Sequence, residues 1–155
     1  MKFISVIIAS FFGTAIMTLV LYLISFMTTR VMRVPLVLGT MLTRQTTADG
    51  GLSSSTRARF IGSVAHYVVG AIYGIVFLMM WDAEIGELTL PWAVFFGIGA
   101  GVMGIILWHL FLLVHPLPPR LPLKSYYLTL LFGHNVFSIV TFYVYSFLIE
   151  NVFAP

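Results

Sequence analysis

The stretch that decides the fold is FIGSVAHYVVGAIYGIVFLMMW, Phe60 to Trp81, an apolar run that carries no charge and a single histidine, His66. A helix needs roughly 20 predominantly apolar residues to cross the hydrocarbon core of a bilayer. Strands of membrane barrels are about 10 residues long and alternate in polarity, so a run of this length indicates a helix. The segment therefore predicts a membrane-spanning helix.

Three other runs have the same character: residues 3–27 without a charge, residues 88–114 with His109, and residues 125–149 with His134. Charged residues make up only 8% of the chain, against about 25% in soluble domains, and 60% of the residues are hydrophobic. The first run is longer than the 7–15 residues of a signal-peptide core, so we expect it to be retained as a span. We predict an all-α fold: one transmembrane domain, a four-helix bundle with spans at about 3–27, 60–81, 88–114 and 125–149.

Basic residues are concentrated in two of the three connections, residues 28–59 and 115–124, whereas residues 82–87 carry three acidic side chains. The positive-inside rule places both basic loops in the cytoplasm and both termini outside the inner membrane. The aromatic residues lie in apolar runs and not among the basic ones, which argues against nucleic-acid binding. The expected partner of this surface is the lipid bilayer.

Within the first basic loop, Arg30, Arg33 and Arg44 surround an apolar island, Val34–Leu42, that is too short to span. Basic residues at this position attract anionic headgroups. We expect the three arginines to lie near lipid phosphates, and the island to form a half-buried interfacial helix or a re-entrant turn.

The two halves of the chain resemble each other. The triplet FFG occurs at residues 11–13 and again at 95–97, and the same alignment brings Pro35 opposite Pro119. A helix that opens with His-x-x-x-Gly or Ser follows in each half, beginning at His66 and at His134. Two spans in each half predict a parallel repeat of two helical hairpins.

The segments GTAIMT, RVPLVLGTML, HYVVGAIYG and GHNVFSIVTFYVY resemble a family of small, uncharacterised four-helix bacterial membrane proteins, a domain of unknown function. The resemblance covers most of the chain. It implies a four-helix membrane bundle and supplies no catalytic residues. Ser138 stands where the pattern has glycine, and His109 and His115 have no counterpart in it.

Small residues recur at helical spacing in the second and third spans. Lipid provides no hydrophobic drive for helix association, so close approach depends on such residues. These glycines either hold the bundle together, leave space for a flat ligand, or contact another subunit. The predicted helix-packing positions are Gly62, Gly70, Gly74, Gly97 and Gly101.

An ionisable side chain within a span is a candidate functional residue. His66, His109 and His134 lie roughly 10–15 Å from the basic ends of their spans, at one common depth. Three interpretations remain open for them. In the first, neutral imidazoles bridge helices through hydrogen bonds to Ser138, Thr129, Asn135 or backbone carbonyls.

In the second interpretation, His66 and His134 ligate the iron of haem b, with Gly70 and Ser138 leaving room one turn further on and His109 in the same layer. A zinc or copper site on the same two histidines is a variant. In the third, the histidines relay protons in a small transporter or channel.

Enzyme activity is not expected. No carboxylate lies within a span, the chain has no cysteine, and neither G-x-S-x-G nor H-E-x-x-H occurs. The predicted role is non-enzymatic: an accessory or assembly subunit of a larger membrane complex, or a self-associating homo-oligomer, holding haem or an apolar ligand near the histidines. The alternative is the small transporter or channel.

Overall fold

The computed structural model describes residues 1–28 and 33–152. The described chain forms five α-helices and a short π-helical segment: α1 (Lys2–Thr28), α2 (Val34–Leu42), α3 (Thr56–Asp82), α4 (Leu90–Val114), α5 (Leu123–Phe147) and the π-helical segment Leu148–Val152. Within this part of the chain, four helices are long and apolar enough to cross a membrane. The all-α prediction is confirmed, and each long helix overlaps its predicted apolar run: α1 and α3 cover theirs completely, α4 begins two residues later, and α5 ends two residues earlier.

Three helices begin at residues that favour a helix N-terminus: a capping serine precedes α3, and prolines lie in the first turns of α2 and α4. Ser55 precedes α3, and its hydroxyl oxygen accepts a hydrogen bond from the backbone N–H of Ala58 at 3.1 Å. Proline occupies the first turn of α2 and of α4, where a backbone N–H would have no hydrogen-bond partner within the helix, so the N–H that proline lacks is not needed. The capped start carries α3 four residues beyond the apolar run, into the basic segment.

Helix α1 turns its small and hydroxylated residues inward and several large apolar residues outward. On α1, Ser10 and Thr14 are buried, whereas Phe11 and Phe12 are more than half exposed. Each buried hydroxyl donates to a carbonyl one turn back, Ser10 to Val6 at 2.6 Å and Thr14 to Ser10 at 2.8 Å. An apolar exterior around small-residue contacts is typical of helices that associate in lipid.

The helices pack as α1 with α3 and as α4 with α5, and the two pairs meet where α1 lies against α5. Helices α3 and α4, although joined by a short turn, have few close backbone contacts in the described chain. They meet through aromatic side chains near that turn, with the rings of Phe77 and Phe96 centred 5.4 Å apart. Space therefore remains between α3 and α4 further from the turn.

The two matching FFG triplets make non-equivalent contacts. A Cβ on Gly13 would lie 2.9 Å from the carbonyl oxygen of Phe137, and one on Gly97 would lie 2.8 Å from the Cα of Asn135. Both glycines thus face α5. Helix α5 forms a pair with α4, whereas α1 belongs to the other pair, so the two contacts do not correspond. The internal repeat stays a prediction.

The apolar island of the first loop forms α2, the helical alternative of the prediction, and is buried further than expected. Val34, Val37 and Met41 are all at most 5% exposed, because α2 lies along α3. Two glycines permit this contact: a Cβ on Gly62 would lie 2.8 Å from the Cα of Gly39. Six of the nine residues of the island are buried in the protein, and Leu42 at its end is 47% exposed.

The two basic loops are joined by hydrogen bonds at one end of the bundle, which we call the basic-loop end. The hydroxyl of Thr46 donates to the carbonyl of Leu117 at 2.6 Å, and the backbone N–H of Arg120 donates to the carbonyl of Gly50 at 2.8 Å. The first loop follows α1 and the second follows α4. These bonds therefore connect the two helix pairs.

A third connection is made by His115. Its Nδ1 accepts from the backbone N–H of Leu117 at 3.1 Å, so its Nε2 carries the proton and donates to the carbonyl of Met41 at 2.9 Å. The imidazole is 9% exposed. This side chain anchors the end of α2 to the second loop, a role that the sequence did not indicate.

Candidate functional site

A cavity of about 290 Å³ lies between α1, α3, α4 and α5, with α2 at one end. Most of its lining is apolar, and two of the predicted histidines face it. The lining residues are Thr14, Met17, Val34, Leu38, His66, Val69, Gly70, Tyr73, Gly104, Leu107, Trp108, Phe111, Leu130, His134 and Phe137.

The mouth of the cavity is on the side of the bundle. Val69 of α3 and Leu107 of α4 both line the cavity, and they are 41% and 54% exposed on the outer surface. The opening thus lies in the space between α3 and α4, where their backbones are apart. In a bilayer this surface would face the lipid chains.

Toward the turn between α3 and α4, aromatic rings close the bundle. The ring of Phe77 lies 5.4 Å from that of Phe96 and 6.0 Å from that of Phe137. Further along, Trp81 stacks on Tyr145 at 5.0 Å. The cavity is therefore separated from this end of the molecule by a layer of packed rings.

His66 is held by α1. Its Nε2 lies 3.2 Å from the hydroxyl oxygen of Thr18, and that hydroxyl donates its own proton to the carbonyl of Thr14 at 2.7 Å. Since the hydroxyl has only one proton, the Nε2–H of His66 must be the donor to Thr18. The Nδ1 of His66 is then an acceptor, with no hydrogen-bond partner in the described chain.

His134 is held by its own helix. Its Nδ1 lies 2.7 Å from the carbonyl oxygen of Leu130, which can only accept, so Nδ1 carries the proton. The ring also packs edge-on against Tyr73 at 5.2 Å. The Cε1–Nε2 edge of the ring lies against Gly104 of α4, because a Cβ at that position would lie 2.9 Å from Cε1 and 3.3 Å from Nε2.

Two of the residues predicted beside these histidines, Ser138 and His109, are not part of the cavity lining. The hydroxyl of Ser138 is buried and donates to the carbonyl of Ala93 at 2.7 Å, so it joins α5 to α4 outside the cavity lining. His109 is exposed, and its Nδ1 lies 3.0 Å from the hydroxyl of Tyr127. The predicted bridges to Thr129 and Asn135 are also absent from the described bonds of His66 and His134.

The predicted helix-packing glycines lie in three helix contacts. Side chains at Gly70 and Gly74 would overlap Thr14 and Ser10 of α1, and one at Gly62 would overlap the backbone of α2. On α4, Gly97 and Gly101 face the backbone of α5. Gly70 has both roles, because it lies against α1 and also lines the cavity.

A metal site would have few ligands here. Within residues 1–28 and 33–152, no group of three or more His, Cys, Asp or Glu side chains is placed to hold a metal ion. His66 and His134 are two candidate donors without a third, and neither has a carboxylate in the cavity lining to orient it.

The arginines predicted to lie near lipid phosphates separate in the structure. Arg33 and Arg59 line a groove of about 490 Å³ at the basic-loop end, together with Tyr22 and Phe26 of α1. Arg44 lies beyond α2 in a turn, with a backbone φ of 55°. Arg30 lies outside the described residues.

No protein-family model, no curated protein and no solved structure matches this chain. The functional assignment therefore depends on the geometry of the cavity. Two residues that were not predicted as site residues complete that geometry, Thr18 and Gly104. Thr18 carries a hydroxyl about three turns from the end of α1, and Gly104 belongs to the same small-residue row as Gly97 and Gly101.

Proposed function

We propose that this chain is a non-enzymatic membrane protein that binds a small apolar molecule in the cavity between α3 and α4. One observation carries the proposal: an apolar cavity, open on the side of the bundle, contains two histidines that each keep one ring nitrogen without a protein partner. Among the described residues, the buried side-chain atoms that lack a partner belong to Tyr126, Thr141 and Ser146, so neither histidine nitrogen is sealed off and both are open to a molecule in the cavity.

The size of the cavity supports a compact ligand. Small-molecule sites usually occupy about 300–1,000 Å³, and apolar cavities of roughly 150 Å³ already bind benzene. A cavity of about 290 Å³ suits a single ring with a short side chain. A haem is larger than the drug-sized ligands of such pockets, so we favour a smaller organic ligand over haem b.

The absence of acidic groups from the lining supports a binding role over catalysis. Asp82, Glu84 and Glu87 lie at or beyond the end of α3, and Glu150 lies beyond α5. The lining set contains no carboxylate that could act as an acid or base itself or orient a histidine as in a catalytic triad. The protein would then act as a binding or accessory subunit, alone or in a larger membrane complex.

We further propose that the four long helices cross the bacterial inner membrane as two duplicated hairpins, with the basic-loop end in the cytoplasm and both termini outside. The distribution of basic residues supports this orientation. The groove of Arg33 and Arg59 supports it as well, because two guanidinium groups beside apolar side chains suit a lipid phosphate and its acyl chain. The transport alternative has less support, since the aromatic layer separates the histidines from the opposite end of the bundle.

The proposal is tested by blocking the mouth. Leu107→Trp places a bulky ring at the opening, and Leu110→Trp adds the same ring to the same helix at a residue that is 52% exposed and outside the lining. The protein is purified in mild detergent and extracted with organic solvent, and the extract is analysed by mass spectrometry. We expect a small apolar molecule to co-purify with the wild type and with Leu110→Trp, and to be lost from Leu107→Trp. Equal recovery from both variants, or no molecule from any of them, would contradict the proposal.

A further inference from the structure

The hydrogen-bonding pattern of the cavity defines the polarity of the molecule that fits it, an inference that rests on the proposed binding function. Four side chains of the lining carry protons that are already used within the protein. The hydroxyl of Thr14 donates to Ser10, and the hydroxyl of Tyr73 donates to the carbonyl of Ala100 at 3.3 Å.

The histidines follow the same pattern. His66 donates through Nε2 to Thr18, and His134 donates through Nδ1 to Leu130. An uncharged imidazole has one N–H and one bare nitrogen, and a charged one would be buried among apolar groups without a counter-ion. Each histidine of the lining therefore keeps one lone pair and has no proton left to donate to a ligand, and neither free nitrogen is among the buried unpaired atoms of the described chain.

The two lone pairs belong to different helices. The Cε1–Nε2 edge of His134, on α5, lies against Gly104 of α4, which itself lines the cavity, and His66 belongs to the same lining from α3. The remaining N–H group of the lining is the indole of Trp108, whose ring packs edge-on against Tyr126 at 5.3 Å. The site is thus dominated by hydrogen-bond acceptors.

We infer that the cavity selects apolar molecules that carry a hydrogen-bond donor, such as a phenol or another aromatic alcohol, over molecules of the same shape that carry only a carbonyl or a methyl group. The hydroxyl would donate to the bare nitrogen of His66 or His134, and the ring would lie among the apolar side chains. A site that is built to bond a hydroxyl rejects the analogue without one, because its own polar groups are then left unpaired.

Three probes of matched shape test the inference on the full-length protein in lipid nanodiscs. Para-propylphenol carries a hydrogen-bond donor, para-propylbenzaldehyde carries only an acceptor, and para-propyltoluene carries neither group. Binding is measured by calorimetry and corrected for the partition of each probe into empty nanodiscs. We expect the phenol to bind roughly three- to tenfold more tightly than the other two, as one hydrogen bond allows.

Three variants assign the preference to the histidines. His66→Phe and His134→Phe remove an acceptor and keep a ring, and His109→Phe is the matched control at an exposed residue outside the cavity. At least one of the first two should lose the preference for the phenol while still binding the toluene, which also shows that the variant is folded. The control should keep the preference.

The outcomes separate the inference from the proposed function. If all three probes bind the wild type equally, the inference is wrong and the binding cavity stands. A preference for the aldehyde would assign recognition to the indole of Trp108 and would overturn the inference. A phenol preference that persists in both His66→Phe and His134→Phe would overturn it as well. If none of the probes binds, the proposed function fails and the inference fails with it.

Discussion

Gly104 of α4 lies against the imidazole of His134 on α5, so closely that a Cβ at position 104 would be 2.9 Å from the Cε1 atom of the ring. The ring cannot turn away without losing the bond from its Nδ1 to the carbonyl of Leu130. A single missing methyl group therefore decides both the spacing of two helices and the position of a cavity residue.

The first prediction concerns this contact. Gly104→Ala should lower the free energy of unfolding by about 1–3 kcal/mol, because the methyl group has to displace His134 or separate α4 from α5. The control is Gly99→Ala on the same helix, where no heavy atom lies within 4 Å of the added Cβ. That variant should be neutral or slightly more stable, since alanine is the better helix former. Unfolding in detergent micelles with increasing sodium dodecyl sulfate measures both, and equal effects would contradict the contact.

The second prediction concerns the docking of α2. A side chain at Gly62 would meet the backbone of Pro35 and Gly39, which cannot rotate out of the way. Gly62→Ala should therefore detach α2 from α3 and raise amide hydrogen exchange throughout Val34–Leu42. Ser63→Ala, at the exposed neighbouring residue, should leave exchange in α2 unchanged. Protection of α2 that survives Gly62→Ala would exclude the tight helix contact.

The third prediction compares two adjacent tyrosines. Tyr126 is 2% exposed, and its hydroxyl has no hydrogen-bond partner in the described chain. Tyr126→Phe removes this unpaired group and should raise the free energy of unfolding by about 1 kcal/mol. Tyr127→Phe removes the hydroxyl that lies 3.0 Å from the Nδ1 of His109, and should lower it by about 0.5–1.5 kcal/mol. A loss of stability in Tyr126→Phe would reveal a partner for the buried hydroxyl, such as an internal water.

The fourth prediction concerns pH and the first basic loop. The hydroxyl of Thr47 donates to the carboxylate of Asp49, and this bond, with backbone N–H groups and the nearby Arg120, lowers the pKa of Asp49 from its ordinary value of 3.8. The ionised carboxylate stabilises the folded loop above that ordinary value, and this contribution is lost as the pH falls through the lowered pKa.

Thr47→Val should raise the pKa of Asp49 toward its ordinary value, because the largest cause of the shift is removed. Titration of the carboxyl carbon by nuclear magnetic resonance measures the change directly. Thr46→Val is the control, since the hydroxyl of Thr46 donates to Leu117 and not to Asp49. Identical titration curves for the wild type and Thr47→Val would contradict the assigned bond.

The four long helices could be predicted from the sequence because an uncharged run of spanning length admits few other structures. Their rotations about their own axes could not. Helix α4 is apolar on every side, so the pattern does not distinguish a cavity-facing residue from an outward-facing one. For this reason the sequence prediction groups His109 with His66 and His134, although His109 is exposed and lies outside the cavity lining.

The same limit applies to the residues around the histidines. Ser138 follows His134 by one turn, and this spacing predicts that the two side chains lie together. The hydroxyl of Ser138 instead donates to the carbonyl of Ala93 on α4. Thr18 reaches His66 from a helix whose sequence carries many similar hydroxyls, so its position depends on how α1 and α3 pack. Sequence spacing identifies neighbours along a helix, whereas partners on other helices follow from packing.

The hydrogen bonds between the two basic loops have a mechanical consequence. Carriers with two repeated halves commonly work by rocking one half against the other about a central site. Here the pair α1–α3 and the pair α4–α5 are fastened at one end by three hydrogen bonds, those of Thr46, His115 and Arg120, and at the other by the peptide turn after Asp82. Rocking would have to break the three bonds together, at about 0.5–1.5 kcal/mol each. We expect the bundle to move as one rigid body. A bound molecule would then enter and leave the cavity through side-chain motions of Val69 and Leu107.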